Sequence, residues 1–452
     1  MPPNSHSRNA RVCVVVLGDI GRSPRMEYHS LSLADKGVNV ELIGYSGSNP
    51  IGRLAQHQLV TFHYLPEPPL VKPRLVHLAV KLFWQLLSLL FCLVWRVPRS
   101  DVILLQNPPA LPALLVCVAV AALKGSRLII DWHNYTSSML AQKWSTSNPI
   151  NHMANLYEFG MGRCADANLC VTDAMRSDLI RRGIGRVTTF HDRPFDAFAP
   201  LSINGQHDFL TLMAERYAEF RLQRPTEDSI DEHESRFTFE QQDGTCVKRT
   251  DRPCILLTST SWTPDEDFDL LIEALTIYSQ YPMEDDQTSL PALLVVITGK
   301  GSLREEFLRH IQKVDFSGRV SIVTMWLQAE EYPLLLACAD VGLSLHSSTS
   351  GLDLPMKVVD MFGCGLPVLA LNFQALPELV HDSIDGMIFE NAEQLADHLR
   401  IVLKGFPKSH SVLDDMRRRL VESPLETWNK AWEKIVWPVF TTTLNGGNVA
   451  QA

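Results

Sequence analysis

The sequence predicts an α/β chain with two doubly wound, Rossmann-like domains, each built on a parallel sheet. Three observations lead there. Short continuous apolar runs recur along the chain, the mark of strands buried on both faces. Helical patterns alternate with them, as in βαβ units. A polar, acid-rich stretch near the middle divides 452 residues that are too many for one compact core.

Arg11–Leu17 (RVCVVVL) is the first buried strand, and it opens into Gly18, Asp19, Ile20, Gly21, Arg22, Ser23 and Pro24. A helical pattern runs to Ala34, Lys36-Gly37 closes it, and Val38–Tyr45 is the next strand. The glycine spacing is G-x-x-G, so a dinucleotide fingerprint is not met. The loop still lies at the carboxyl end of the strands, where open α/β sheets bind ligands. That makes Asp19, Arg22, Arg25 and Glu27 candidates, against the plainer reading of a loop with helix-dipole partners.

Residues 72–100 are unusual. The centre, from Leu82 to Trp95, is almost wholly apolar, with Lys72, Arg74, Lys81, Arg96 and Arg99 around it and no acid inside. Lys81 and Gln85 make it a marginal span, since a crossing helix needs about 20 apolar residues. A helix lying in the membrane interface fits better, with Trp84, Leu90 and Trp95 as docking residues. A buried core helix is the competing reading. Pro109–Leu123 is a second apolar helix, shorter and expected in the core. Val102–Leu105 and Arg127–Ile130 are further strands. The second ends in Asp131-Trp132-His133-Asn134-Tyr135, where His133 and Asp131 suit acid/base work or hydroxyl binding, or a satisfied structural histidine. Tyr157-Glu158-Phe159-Gly160 belongs to a helix. Ala167–Thr172 is a strand, with Thr172 capping the helix Asp173–Arg182.

The layout divides into a polar tail at 1–10, a first domain at 11–199, a polar linker or insertion at 200–252, a second domain at 253–424 and a C-terminal helix and tail at 425–452. In the second domain the strands are Cys254–Thr260, Leu293–Thr298, Val320–Met325 and Val341–Leu345. Each delivers small, polar or basic residues to one sheet edge, among them Gly299, Lys300 and Trp326. Ser347–Val368 then reads as a Ser/Gly loop, a short helix and a turn into a strand. Pro355 suits the first helical turn. Lys357 and Asp360 share one helix face. A helix start favours phosphate, and a carboxylate accepts from sugar hydroxyls. On chemistry alone, a nucleotide-sugar site and an ordinary loop–helix corner weigh about equally. The last helix, Leu425–Val439, carries Trp428, Trp432 and Trp437, which need a surface to pack on, namely the first domain.

Composition excludes several classes. Hydrophobic residues at 46% and charged residues at 20% describe a globular chain. A net charge of -10 argues against a nucleic-acid binder. The cysteines are scattered at 13, 92, 117, 164, 170, 246, 254, 338 and 364 with no C-x-x-C spacing. That argues against a disulfide framework or zinc site and fits a reducing, cytosol-facing compartment. The first ten residues are polar and read as neither signal peptide nor anchor.

Five blocks carry a family resemblance: Gly18–Met26, Asp131–Tyr135, Thr260–Phe268, Gly299–Gly301 and Ser350–Cys364. In this order they resemble the chitobiosyldiphosphodolichol beta-mannosyltransferases, of the GT-B fold, with two Rossmann-like domains facing a cleft. The resemblance covers nearly the whole chain except residues near 200–250 and the ends. It implies inverting transfer of mannose from GDP-mannose to the terminal N-acetylglucosamine of diphosphodolichol chitobiose, making a β1,4 linkage. It also implies the cytosolic face of the endoplasmic reticulum membrane, with dolichyl diphosphate chitobiose, the membrane surface and other mannosyltransferases of the pathway as partners. GDP-mannose is the co-substrate and no prosthetic group is expected. A divalent metal is not indicated by a clear motif.

By analogy, Asp360 takes the ribose, the Gly351 and Leu352 amides and Lys357 take the diphosphate, and Gly299, Lys300 and Trp326 take guanine or phosphate. Gly18, Gly21, Arg22 and Arg25 line the acceptor side. Asp19 is the first choice of base, with Glu27, His133 and Glu158 in reserve. Two departures stand out. Related transferases carry an Arg/Lys pair in the loop after the second domain's first strand, whereas here Ser261–Phe268 is acidic, so the diphosphate cation comes from elsewhere, with Lys300 or Lys357 as candidates. Asp265-Glu266-Asp267 is read mainly as helix capping. The family's usual N-terminal anchor is also missing, which leaves attachment to Leu75–Trp95 or a partner. The alternatives are a retaining GT-B transferase using another sugar nucleotide, and an inactive scaffold of a membrane glycosylation complex.

Overall fold

The computed structural model describes residues 10–143, 148–222, 234–263, 266–282, 290–408 and 411–445. The chain forms two compact units, 1–192 with 428–452, and 193–427.

In the first unit the order is β1 (Arg11–Asp19), α1 (Pro24–Asp35), β2 (Asn39–Tyr45), α2 (Gly52–Ala55), β3 (Val60–Tyr64), α3 (Arg74–Phe91), β4 (Val102–Asn107), α4 (Ala113–Lys124), β5 (Arg127–Trp132), α5 (Thr136–Lys143), α6 (Pro149–Gly162), β6 (Ala167–Cys170), α7 (Asp173–Arg181) and β7 (Val187–Thr189). The seven strands pair in parallel in the order β3-β2-β1-β4-β5-β6-β7. The direction of winding reverses between β1 and β4. The apolar residues of β1, β2, β4, β5 and β6 are buried on both faces, which is why they read as unbroken runs, while edge strand β3 is only partly buried. Gly21 holds the loop after β1 tight, because a Cβ there would stand 2.6 Å from the Asn49 carbonyl oxygen.

The second unit runs through α8 (Ile203–Arg216), β8 (Thr238–Glu240), β9 (Cys246–Lys248), β10 (Cys254–Ser259), α9 (Phe268–Gln280), β11 (Leu293–Thr298), α10 (Arg304–Ile311), β12 (Val320–Met325), α11 (Glu331–Cys338), β13 (Val341–Ser344), α12 (Met356–Gly363), β14 (Val368–Leu371), β15 (Gly386–Phe389), α13 (Ala392–Val402) and α14 (Ser411–Glu422). Its six-stranded parallel sheet has the order β12-β11-β10-β13-β14-β15 and reverses between β10 and β13. The expected linker at 200–252 is instead part of this unit. Ser202 caps α8, α8 packs on α11 and on the β8–β9 hairpin, and buried Arg252 grips Asp340 through two hydrogen bonds of 2.7 and 2.8 Å. Residues 223–233 lie outside the described residues.

The last helix, α15 (Trp428–Leu444), belongs to the first unit. Trp428 Nε1 donates to Ser32 Oγ at 3.0 Å and Trp432 Nε1 to His29 Nδ1 at 2.9 Å, so α15 lies against α1.

Candidate active site

In the second unit the loops after β10, β11, β12 and β13 and the start of α12 enclose a cavity of about 540 Å³. It sits where the strand order reverses, the place where open α/β sheets bind ligands. Gly299, Trp326, Lys357 and Asp360 line it together with Ser259, Thr260, Glu266, Tyr332 and Asp353. Gly299 has φ +147, and a Cβ would lie 1.7 Å from the Thr260 carbonyl oxygen, so only glycine lets β11's loop close against β10's. Exposed Lys300 places Nζ 4.2 Å from the ring centre of Trp326, a cation–π contact that holds both on one loop edge.

Three donor-side expectations change. Lys357 is not a free cation: its Nζ bonds the Glu266 carboxylate and donates to the Ser259 carbonyl at 2.5 Å. Glu266, read from the sequence as a cap, is buried in the cavity wall and also accepts from the Thr260 hydroxyl. Asp267 is the actual cap, accepting from the Leu270 amide; Asp265 lies outside the described residues. The Gly351 amide donates to the Ser348 carbonyl and the Leu352 amide to Ser350 Oγ, so both are used within their own loop.

On the first unit, Asp19 accepts from the Gly47 amide (3.2 Å), the Ser48 amide (2.9 Å) and Ser48 Oγ (2.7 Å). Partial burial pushes its carboxyl up, but the Ser48 and Gly47 hydrogen bonds outweigh that and hold it below the usual carboxylate range. Arg22 is exposed, with Nε 3.6 Å from Asp19, and Gly18 lies near the end of β1, before this loop. Arg25, expected on the acceptor side, is instead a buried structural cation. It reaches Asp131 at 2.8 and 3.0 Å, Asp192 at 2.7 Å and the Phe190 carbonyl at 2.9 Å. Glu158 is fully buried, accepting from Asn107 Nδ2 and the Thr136 and Ser137 amides; it joins β4 to the start of α5 and is closed to a substrate. Glu27 is also buried and accepts from the Ile51 amide at 3.0 Å. His133 alone of the reserves is half-exposed, with Nε2 2.8 Å from Asp131 Oδ2.

Helix α3 turns its polar interruption inward: Gln85 is buried, while Phe83, Leu87, Phe91 and Trp95, spaced four apart, are exposed. A stripe at that spacing follows one face of a helix. Trp84 is partly exposed and donates to the Pro66 carbonyl at 3.0 Å, whereas Leu90 is half-buried. The segment Val76–Arg96 has the length and hydropathy to cross a bilayer (mean 1.9), with 22% of it buried. Helix α4, expected in the core, exposes Leu115 and Leu123, and its neighbour α6 exposes Met153 and Leu156.

Comparison with known proteins agrees with this frame. The family described as "Glycosyl transferases group 1" matches residues 252–405, and "Glycosyl transferase 4-like domain" matches 21–191. Human chitobiosyldiphosphodolichol beta-mannosyltransferase is 42% identical, covering 96% of this chain and 93% of that protein. The chain belongs to the chitobiosyldiphosphodolichol beta-mannosyltransferase family. It is a glycosyltransferase of GT-B fold. The mouse member is likewise 42% identical over 96% of this chain and 89% of its own. A relative from Arabidopsis thaliana named UDP-glycosyltransferase TURAN is 35% identical over 97% of this chain and 98% of its own. Among solved structures, sucrose-phosphate synthase from Thermosynechococcus elongatus has TM-score 0.64 and 14% identity, covering 97% of this chain and all of that one. The glycosyltransferase WaaG has TM-score 0.60 and 13% identity, covering 94% and 99%. At those identities the likeness concerns the fold. For this mannosyltransferase family member, Glu266 is the cavity residue that sequence reasoning missed. The acidity of 261–268 was its signal: an acid in a loop facing Lys357 has a partner to find.

Proposed function

We propose that the chain is an inverting mannosyltransferase that moves mannose from GDP-mannose to the terminal N-acetylglucosamine of diphosphodolichol chitobiose, forming a β1,4 linkage. The observation that carries this reading is the cavity at the second unit's switch point, in a chain 42% identical over nearly all its length to mannosyltransferases named for that acceptor. In this reading Asp360 accepts from the ribose hydroxyls, Gly299 and Trp326 border the base, and Lys300 and Lys357 neutralise the diphosphate as it leaves. Lys357 does so by exchanging Glu266 for phosphate. The loop of Gly18, Gly21 and Arg22 faces the acceptor.

The acceptor's polyprenyl tail places the enzyme at a membrane, and the cytosolic face of the endoplasmic reticulum is the proposed location. The exposed stripe of α3, with Lys81, Arg96 and Arg99 around it, is the proposed contact. Leu89, Cys92 and Leu93 of the same segment are buried within the unit, which favours lying in the interface over crossing it.

The test is purified full chain with labelled GDP-mannose and a phytanyl diphosphate chitobiose acceptor, with and without magnesium. Transfer is expected, with a product released by β-mannosidase. No transfer in any detergent, or transfer only from UDP-sugars, overturns the reading. A product cut by α-mannosidase instead makes the enzyme retaining. Asp360→Asn is expected to raise the KM for GDP-mannose by about tenfold or more, the cost of a hydrogen bond to a charged group.

A further inference from the structure

Asp131 is buried at the end of β5, where four side-chain nitrogens from three residues converge on it. Arg25 approaches with Nε at 2.8 Å and a second nitrogen at 3.0 Å. His133 Nε2 lies at 2.8 Å. His29 Nε2 lies at 3.2 Å, off the line of an ideal hydrogen bond. The tautomers follow from the partners. Trp432 can only donate, so His29 Nδ1 accepts and its proton is on Nε2, facing Asp131. Asp131 is held ionised: burial acts against it, but Arg25, then His133 and His29, bring it well below the usual carboxylate range. An ionised Asp131 can only accept, so His133 carries its proton on Nε2 and keeps the Nδ1 lone pair. Among the described residues, Nδ1 of His133 has no protein partner, and its side chain is 22% exposed.

We infer that His133 Nδ1, oriented by Asp131, is the proton acceptor of the glycosyl transfer. The inference rests on the proposed reading of the reaction. As the acceptor 4-oxygen forms its bond to C1 of mannose, its proton passes to His133 Nδ1. The C1–O bond to the diphosphate breaks, and its electron pair leaves with GDP. The imidazolium that forms is stabilised by Asp131. Arg25 fixes the carboxylate from one side, and Asp192, paired to Arg25, keeps the cluster from carrying excess positive charge. His29 and Trp432 are positioning residues, for they hold Asp131's remaining face through the C-terminal helix. Asp19 is engaged by the Gly47 and Ser48 donors, Glu158 is fully buried under Asn107 and two amides, and Glu27 is buried.

The experiment compares full chain in detergent with His133→Gln, His133→Ala and Trp432→Phe, each checked for folding by circular dichroism. General-base removal costs on the order of 10²–10⁴-fold, so His133→Gln is expected to lower kcat in that range with the KM for GDP-mannose little changed. Its kcat–pH profile is expected to lose the acid fall expected of the wild type. Free imidazole is expected to restore part of the activity of His133→Ala. Trp432→Phe keeps the ring and drops the N–H, and is expected to lower kcat several-fold while leaving the KM for GDP-mannose unmoved. A His133→Gln enzyme within threefold of wild-type kcat, with the acid fall intact, overturns the inference while leaving the mannosyl transfer standing. A wild type without transfer overturns the underlying reading instead.

Discussion

Lys357 and Glu266 form a closed pair in the wall of the second unit's cavity, so a diphosphate proposed to bind there meets a carboxylate as well as an ammonium. Glu266→Gln is expected to tighten GDP binding several-fold, because a negative charge leaves a site for an anion. Lys357→Met is expected to weaken it about tenfold; isothermal titration measures both, and weaker binding by Glu266→Gln would give the acid a direct role in holding nucleotide. Glu27 shows the opposite electrostatics. Burial pushes its carboxyl up to about 7, with the Ile51 amide pulling against that and Asp19 adding to it. The folded chain therefore keeps a proton that the unfolded chain releases nearer 4.5. The stability this supplies is complete at low pH and is lost as pH rises through about 7. Glu27→Gln has no such proton to lose. It is expected to match the wild type near pH 4.5 and to exceed it at pH 8, by at most about 3 kcal/mol, in urea unfolding. An equal gain at both pH values would assign the effect to packing.

At the level of elements, the central parallel strands were legible because burial on two faces leaves no polar alternation to obscure them, whereas the shorter, less buried outer strands β3, β7 and β15 were not. Helix α3 was half legible. Composition singled it out, but the face that meets solvent depends on which side packs the sheet. The core takes Gln85, Leu89 and Cys92 and leaves Phe83, Leu87, Phe91 and Trp95 outside. Phe83→Ser with Trp95→Ser is expected to cut co-sedimentation with phosphatidylcholine–phosphatidylserine vesicles at least tenfold, since each buried aromatic contributes about 1.5–3 kcal/mol. Unchanged binding would move the contact to Leu123, Met153 and Leu156 on the neighbouring helices. Residues 200–252 read as a polar linker or insertion, and their described part packs into the second unit. Helix α8 hides Phe209, Leu210 and Met213 behind an exposed face of Asn204, Asp208, Glu215 and Arg216, and the buried Arg252–Asp340 pair has no local sequence signal. The candidate base was legible only as a list. His133 stands apart through Asp131, whose other partners, Arg25 and the Trp432-held His29, lie far from it in sequence.

At the scale of the molecule, every residue lining the second unit's cavity comes from the continuous segment 193–427. That segment alone is expected to fold and to bind GDP in a thermal-shift assay, without transferring mannose; a fragment that folds but ignores GDP would take the nucleotide elsewhere. The first unit has no such independence. Its sheet is complete by Thr189, yet His29 and Ser32 on α1 find their partners in Trp432 and Trp428. During synthesis a chain leaves the ribosome at about 5–20 residues per second. The first unit therefore stands unfinished through the whole emergence of the second, an interval of roughly 10 to 50 seconds at that pace. Its α1 face is uncovered throughout that time. A nascent chain of this kind offers chaperones a long-lived apolar target, and a stop codon anywhere before Trp428 leaves the first unit open for good.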